Sequence, residues 1–359
     1  LIELLDLDGV AEPEPLVSVV IPHWNGIEVL AECLESLYKS SYPNMEVVVV
    51  DNASTDGSPE WIVANHGKVN LVRCRENRGY AGGCNLGAEY ASGDYLLFLN
   101  NDTVHTPDWI ELLVATLEKN RGVAAVQPKI LNYFEKELFD YAGGSGGQMD
   151  ILCFPFARGR LFLTREEDSG QYDDETDIFW ASGTAFLVRK SVFEEVGGFD
   201  ETFFAHQEEI DLQWRIHLAG LDVVVNPASV VYHRNAVTLT MHSPQKKYLN
   251  HRNSLLMMLS NYSLPMALYL FPIRLILEFI AVLYALVLVD FGHVAAIFRS
   301  LFWILFHPHV IHRRRKRTRS VRCLKDRAIL AKLYRGSVVL DYYILGKRSY
   351  SDLMPSPSR

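Results

Sequence analysis

Tyr95-Leu-Leu-Phe-Leu-Asn-Asn-Asp-Thr103 is the stretch from which the fold is read. Its first five residues, 95–99, are apolar without interruption, too few for a helix and continuous enough for a strand buried on both faces, as in a parallel sheet. The run then stops in Asn100, Asn101 and Asp102. In open α/β sheets ligands gather beyond the carboxyl ends of the strands, where a nucleotide phosphate and its cation would sit. A hard divalent cation takes oxygen ligands, and one carboxylate beside two amides is a partial set. An Asx-rich turn after a strand has the same composition, and this segment alone does not separate the two readings.

The flanking segments supply the context. Residues 16–22 form a β-rich run ending at Pro22, before His23-Trp24-Asn25-Gly26, and Val29, Leu30, Cys33, Leu34 and Leu37 then recur at helical spacing. A valine-rich strand at 46–50 ends in Asp51-Asn52-Ala53-Ser54-Thr55-Asp56-Gly57, and Ser58-Pro59 starts the next helix. A strand at 69–73 leads to the loop 77–83, a helix over 85–91 returns to the opening strand, Thr106-Pro107 begins a further helix, and 123–126 closes the set. Repeated β-α-β alternation with right-handed crossovers predicts an α/β fold with a mainly parallel central sheet. Three polar clusters, 51–56, 77–79 and 100–102, then share its carboxyl edge and converge on one ligand. No Gly-x-Gly-x-x-Gly follows the first strand and no Gly-x-x-x-x-Gly-Lys loop occurs, which argues against NAD and ATP.

Composition bounds the rest. The 359 residues, 49% hydrophobic, suffice for one large domain or two smaller ones. The net charge of -8 hides an asymmetry: residues 313–335 hold eleven Lys or Arg against the single Asp326. The remainder is strongly acidic, which argues against nucleic acid as a partner. Five cysteines without paired or metal-ligand spacing fit a reducing compartment. Residues 1–15 are acidic and show no cleavable signal.

Val17-Ser-Val-Val-Ile-Pro22 with Asn25, Val50-Asp-Asn-Ala-Ser-Thr-Asp-Gly-Ser58, Asn77-Arg-Gly-Tyr-Ala-Gly-Gly-Cys-Asn85 and Leu99-Asn-Asn-Asp-Thr103 together resemble the family 2 glycosyltransferases of GT-A fold, most of all the bacterial rhamnosyltransferase-like members. The resemblance covers residues 16–253. It implies a nucleotide-diphospho-sugar donor, UDP- or dTDP-linked, held by Pro22, Asn25, Asp51, Ser54, Asp56, Asn77, Arg78, Gly79, Asn100 and Asn101, with Asp51 on the base. It also implies Mg²⁺ or Mn²⁺ at Asp102, the carboxylate of the family's DXD-type motif, which here reads Asn100-Asn101-Asp102.

Residues 131–178 read as irregular, with flexible connections at 143–147 and 166–177; Arg158 and Arg160 are either diphosphate contacts or solvated surface arginines. Residues 179–188 restore a strand pattern with small residues where a substrate can approach, so Trp180, Gly183 and Thr184 are acceptor-binding candidates, Trp180 by ring stacking or else as a core residue. Ser191 caps a short helix ended by Gly197-Gly198.

The second chemical cluster is Phe203-Phe-Ala-His-Gln-Glu-Glu-Ile-Asp-Leu-Gln-Trp-Arg215, opening a helix that stops at Gly220. Glu208 and Glu209 lie in its first turn, favoured by the dipole, while Asp211 and Arg215 are spaced to pair on the surface. The segment resembles the family's Glu-Asp-x-Asp-Leu motif, whose second acid is the base that deprotonates the acceptor hydroxyl. By position that is Glu209, with Glu208 and Asp211 as alternates. A histidine ending the strand at 230–233 is a satisfied structural group or, as the resemblance implies, a metal or diphosphate contact at His233.

Beyond residue 253 the character changes. Residues 265–306 are apolar with sparse charges, Arg274 and Glu278 being spaced to pair. A pair of helices, as a hairpin or partly in the interface, followed by basic residues, predicts association with the cytoplasmic face of the inner or plasma membrane; a soluble helical subdomain is the other reading. The organisation expected is a tail (1–15), a GT-A catalytic domain (16–245), an apolar helical region (246–310) and a basic tail (311–359). The function implied is an inverting transfer of a sugar, with rhamnose suggested by the resemblance, to a lipid-linked glycan or cell-surface polysaccharide. The competing class is a membrane-anchored binding or scaffold protein on a decayed transferase fold, and the co-occurrence of Asp51, Asp102, Glu209 and His233 favours the enzyme.

Overall fold

The structure is a computed structural model that describes residues 14–235 and 243–354, so the acidic first stretch, read as showing no cleavable signal, lies outside the described residues except for 14 and 15. Its first half alternates as the apolar runs demand: β1 (Val17–His23), α1 (Ile27–Leu37), β2 (Met45–Asp51), α2 (Ser58–Asn65), β3 (Asn70–Arg73), α3 (Gly79–Tyr90), β4 (Tyr95–Leu99), β5 (Thr103–His105), α4 (Trp109–Lys119) and β6 (Val123–Asn132). β1 pairs in parallel with β2 on one side and β4 on the other, and β2 with β3. Strand order therefore reverses between β1 and β4, which opens a crevice at their carboxyl ends. Every residue of β4 is buried, and sinking Leu96, Leu97, Phe98 and Leu99 contributes roughly 6–12 kcal/mol gross. That burial leaves Asn100 to Asp102 at the rim.

Next come β7 (Gly147–Met149), β8 (Pro155–Ala157), β9 (Arg160–Leu161) and β10 (Thr164–Arg165), a small antiparallel sheet, and β11 (Thr176–Asp177), which returns to the main one. They are followed by β12 (Ala185–Arg189), α5 (Lys190–Glu195), α6 (Glu208–Leu218) and β13 (Asp222–His233). The main sheet runs β11-β13-β6-β12-β4-β1-β2-β3, with β5 on β13. β12 inserts antiparallel between β4 and β6, so the sheet is mostly, not wholly, parallel.

Several expectations need correcting. The strand expected over 179–188 starts only at Ala185, because Trp180 bridges to Gly147 of the small sheet. Helix α3 begins at Gly79, inside the segment expected to be a loop: a Cβ on Gly87 would lie 2.3 Å from Val20 Cγ1, so the glycine-rich face is what lets this helix press onto β1. The 131–178 region is tied down rather than flexible. Lys129 binds Asp168 at 2.7 Å and also reaches Asp173, and Arg158 pairs with Asp174. Neither Arg158 nor Arg160 is a solvated surface group; both are buried, and Arg160 donates to the Phe162 carbonyl at 3.1 Å. Asp211 and Arg215 do pair, at 3.0 Å, but in the core and not on the surface.

The C-terminal part is helical: α7 (Pro244–Asn261), α8 (Leu264–Val287), α9 (Phe291–Phe306) and α10 (Pro308–Val321), then the short α11 (Asp326–Lys332), α12 (Val338–Tyr343) and α13 (Tyr350–Leu353). The basic segment is partly structural. Arg314 of α10 is buried and bonds Asp211 of α6 and Asp200, each at 2.6 Å. Helix α8 is long and apolar enough to cross a membrane, as is the α9–α10 pair taken together despite a 72° bend.

Candidate active site

At the crevice between β1 and β4, Asn101 Nδ2 lies 2.8 Å from His23 Nδ1. Burial holds the His23 imidazole below its ordinary pKa against the pull of Asp56 and Asp51, and its Nε2 has no partner among the described residues. Beside it two loops are knitted together. The Asn25 N–H donates to Ser54 Oγ at 2.9 Å, Asn25 Oδ1 accepts from the Thr55 N–H at 2.8 Å, and the Gly26 N–H donates to Asp56 Oδ2 at 2.6 Å. Asp51, buried at the end of β2, accepts from the Ser54 N–H at 3.1 Å. Thus Asn25, Ser54 and Asp56 shape the loops through these bonds, with Pro22 just upstream in β1. Asn77 Oδ1 turns the chain by accepting from the Gly79 N–H at 2.8 Å, and Arg78 pairs with Glu201 at 3.2 Å.

The second group lies where β4 and β13 end. Asp102 Oδ1 is 3.1 Å from His233 Nε2, and His233 Nδ1 is 2.9 Å from Asp140 Oδ1. Burial works against the imidazolium, but Asp102 and then Asp140 outweigh it and hold His233 well above its usual pKa. Asp140, absent from the sequence reading, is fully buried, accepts from the Ala142 N–H at 2.7 Å and is also bonded by Asn235. The Asn100 amide is 3.5 Å from His233 Nε2. A carboxylate next to an imidazole whose far nitrogen is fixed by a second carboxylate is a donor set suited to a divalent cation. It is incomplete by itself: among the described residues no group of three or more His, Cys, Asp or Glu is arranged to hold a metal ion. A cation that keeps waters and takes substrate phosphate oxygens needs only one or two protein ligands, so the residues fit it.

The third group is the entry to α6. Phe204, His206 and Gln207 all have positive φ, 63°, 68° and 69°. Non-glycine residues held there are strained, and such strain collects at functional sites. Next, His206 Nε2, Gln207 Oε1, Glu208 Oε2 and Glu209 Oε2 are all buried without a hydrogen-bond partner among the described residues. Four successive residues with orphaned polar atoms are far outside what a core tolerates without a ligand. Burial, and then the neighbouring Glu209, push Glu208 well above the carboxylate range; burial lifts Glu209 to about 7. Asp211, one turn on, differs. Burial alone would raise it, but Arg314 and then Arg215 win and hold it below its ordinary value, and Asn261 Nδ2 donates to it at 2.8 Å. With three partners in the core, Asp211 is built into the helix packing and is set aside as an alternate base.

Two residues of α7 hold the strained loop. Asn253 Nδ2 donates to the carbonyls of Ala205 and His206 at 3.0 and 2.7 Å, and Arg252 to those of Thr202 and Phe203 at 2.7 and 3.0 Å. Nothing local in the sequence marks them, since they act from 50 residues away in chain. Three hydrogen bonds link the second and third groups: the Asn100 N–H donates to the Thr184 carbonyl at 2.8 Å, the Tyr80 hydroxyl to the Gly183 carbonyl at 2.6 Å, and the Tyr80 N–H to the Phe204 carbonyl at 2.9 Å. Gly183 and Thr184 therefore lie between the Asp102–His233 pair and the glutamates. Trp180 does not present a free face; it is 3% exposed and donates through Nε1 to the Gln148 carbonyl at 2.7 Å, as a core residue.

Comparison with known proteins places this geometry in context. A family model described as glycosyl transferase family 2 matches residues 18–197, half of the chain. The chain is 30% identical over 242 residues to the O-antigen biosynthesis protein RfbC of Myxococcus xanthus, a match that spans 65% of this chain and only 18% of that much longer protein. It is 29% identical over 239 residues to an N-acetylglucosaminyl-diphospho-decaprenol L-rhamnosyltransferase of Mycobacterium tuberculosis, covering 61% of this chain and 76% of the relative. In structure it is similar to the mannosyltransferase PcManGT from Pyrobaculum calidifontis, solved with GDP-Man and Mn²⁺, with a TM-score of 0.52, 18% identity, and coverage of 89% and 88% of the two chains.

Proposed function

The chain belongs to glycosyl transferase family 2, and from that premise we propose that it is an inverting transferase that moves a sugar from a nucleotide-diphospho-sugar to a hydroxyl of a glycan or lipid-linked acceptor. The observation that carries this reading is the run of four residues, 206–209, each with a buried polar atom that finds no hydrogen-bond partner among the described residues, where a strained loop joined by hydrogen bonds to the polar strand ends enters α6. A carboxyl raised to about 7 is matched to taking a proton near neutral pH, and Glu209, which holds the motif position of the base, is given that role. Glu208, whose carboxyl burial and then Glu209 push well above its usual range, donates or accepts beside it.

Asp51, with the loops shaped by Asn25, Ser54, Asp56 and Asn77 to Gly79, receives the nucleoside; Asn100 and Asn101 face the diphosphate. Asp102 and His233 would hold a divalent cation, which when bound neutralises charge on the leaving diphosphate. Asp140 fixes the imidazole so that Nε2 points to Asp102. Glu209 takes the acceptor proton, the oxygen attacks the anomeric carbon opposite the leaving group, and the configuration inverts. Gly183 and Thr184, between the two groups, line the acceptor side. The Mycobacterium tuberculosis relative is named as an L-rhamnosyltransferase of a diphospho-decaprenol-linked sugar, which supports a rhamnose donor and a lipid-linked acceptor.

The test is a screen of nucleotide-sugars for release of nucleoside diphosphate, with Mn²⁺ or Mg²⁺ and a bacterial lipid extract. Release that needs both donor and lipid supports the proposal. No release with any donor, from protein that binds nucleoside diphosphate, would instead mark a binding protein on a decayed transferase fold.

A further inference from the structure

Along α8 charged and apolar residues are arranged the reverse of a water-facing helix. Arg274 and Glu278 point inward, with side chains 2% and 1% exposed, paired at 2.7 Å; Arg274 also donates to the Leu152 carbonyl at 2.6 Å and to Ser254 Oγ at 2.8 Å. The outward face carries Leu268, Ile276, Phe279, Leu283 and Val287, each more than half exposed. No Asp, Glu, Lys or Arg interrupts that face through 24 residues, ~36 Å of helix. The face continues onto α9 through Phe302 and Phe306, and onto the end of α12, where the Tyr284 and Tyr343 rings lie 5.9 Å apart and Ile344 and Leu345 are exposed. A contiguous apolar surface of this extent marks a docking surface.

We propose that α8, α9 and residues 340–345 form one plate that lies flat in a single leaflet of an anionic bilayer. Two observations choose this occupant and this orientation. Residues 264–349 hold fifteen Lys or Arg against four Asp or Glu in a chain of net charge -8, with Arg299, Arg313, Lys316 and Arg348 exposed, so the apolar plate comes with the charge that anionic headgroups attract. The inner face of α8 at its middle is held by the catalytic domain, the Arg274 guanidinium standing 3.7 Å over the Phe154 ring and bonding the Leu152 carbonyl. A helix that crossed the bilayer would carry this loop backbone into hydrocarbon, where its polar groups find no partners. The plate is joined to the active-site helix: Arg314, on the helix after α9, binds Asp211 of α6, so the membrane plane sets the orientation of Glu208 and Glu209. The inference stands apart from sugar transfer, since binding to lipid is measured without donor.

The test uses the full chain sedimented with vesicles of phosphatidylcholine, with and without phosphatidylglycerol. Binding is expected to require phosphatidylglycerol, and Ile276→Asp with Leu283→Asp to lower it at least tenfold while circular dichroism stays unchanged. Undiminished binding by that variant overturns the plate. So does a stable dimer of the wild type that fails to sediment with vesicles, because a second copy then covers the face. Nitroxide labels on Ile276→Cys and Val287→Cys, each in a Cys323→Ser background, read the orientation. Equal depths are expected, whereas a difference near ~16 Å, the rise over eleven helical residues, means a crossing helix and overturns the flat placement.

Discussion

Replacing Glu209 by Gln separates its chemical role from its structural one. The side chain keeps its shape and loses its charge. General-base assistance contributes ~10²–10⁴-fold, so turnover is expected to fall by at least ~10²-fold with donor affinity unchanged. Stability moves the other way. Burial raises the folded-state pKa from 4.5 to about 7, so between those values the native state binds more protons than the unfolded chain. Wild-type stability therefore falls as pH rises through that window, and above it the ionised carboxylate costs on the order of 3 kcal/mol, an upper bound that the neutral amide relieves. Wild-type activity should rise with pH, half-complete near pH 7, to a plateau above it. The assays are nucleoside diphosphate release and urea denaturation, each at pH 5 and pH 8, where ~8 sits above the raised value and ~5 below it. A Gln variant that retains turnover, or that is less stable than the wild type at the higher pH, would falsify the assignment.

Two further substitutions test the neighbouring groups. Asp140→Ala removes the carboxylate that fixes His233 Nδ1 at 2.9 Å, and the Mn²⁺ concentration for half-maximal activity should rise ~10–100-fold with turnover at saturating metal little changed; an unshifted metal titration rules out His233 as a ligand. Asp211→Asn leaves Arg215 buried without its counter-charge and Arg314 with Asp200 as its remaining partner, and should cost ~3–5 kcal/mol in urea denaturation. If its folded fraction instead loses turnover with stability intact, Asp211 belongs to the chemistry after all.

The polar strand ends were legible because a parallel sheet imposes its own geometry: β1, β2 and β4 are apolar runs, and their carboxyl ends must share an edge. Glutamates placed behind two phenylalanines announced a burial cost that the orphaned oxygens of Glu208 and Glu209 make explicit. Trp180 went to the core and Asp211 to an ion network, because a residue's type does not say which neighbour reaches it first.

What the sequence determined by itself was whatever follows from local pattern: the strand-helix alternation, the family motifs and the long apolar helices. Only the tertiary structure decided that β12 enters antiparallel between β4 and β6, that Asp140 stands behind His233, that Arg252 and Asn253 clamp the loop before α6, and that the charges of α8 face inward. The reason is physical. Periodicity and capping act over a few residues, whereas pairings between positions tens to hundreds of residues apart are settled by which buried polar groups must find partners once the layers close.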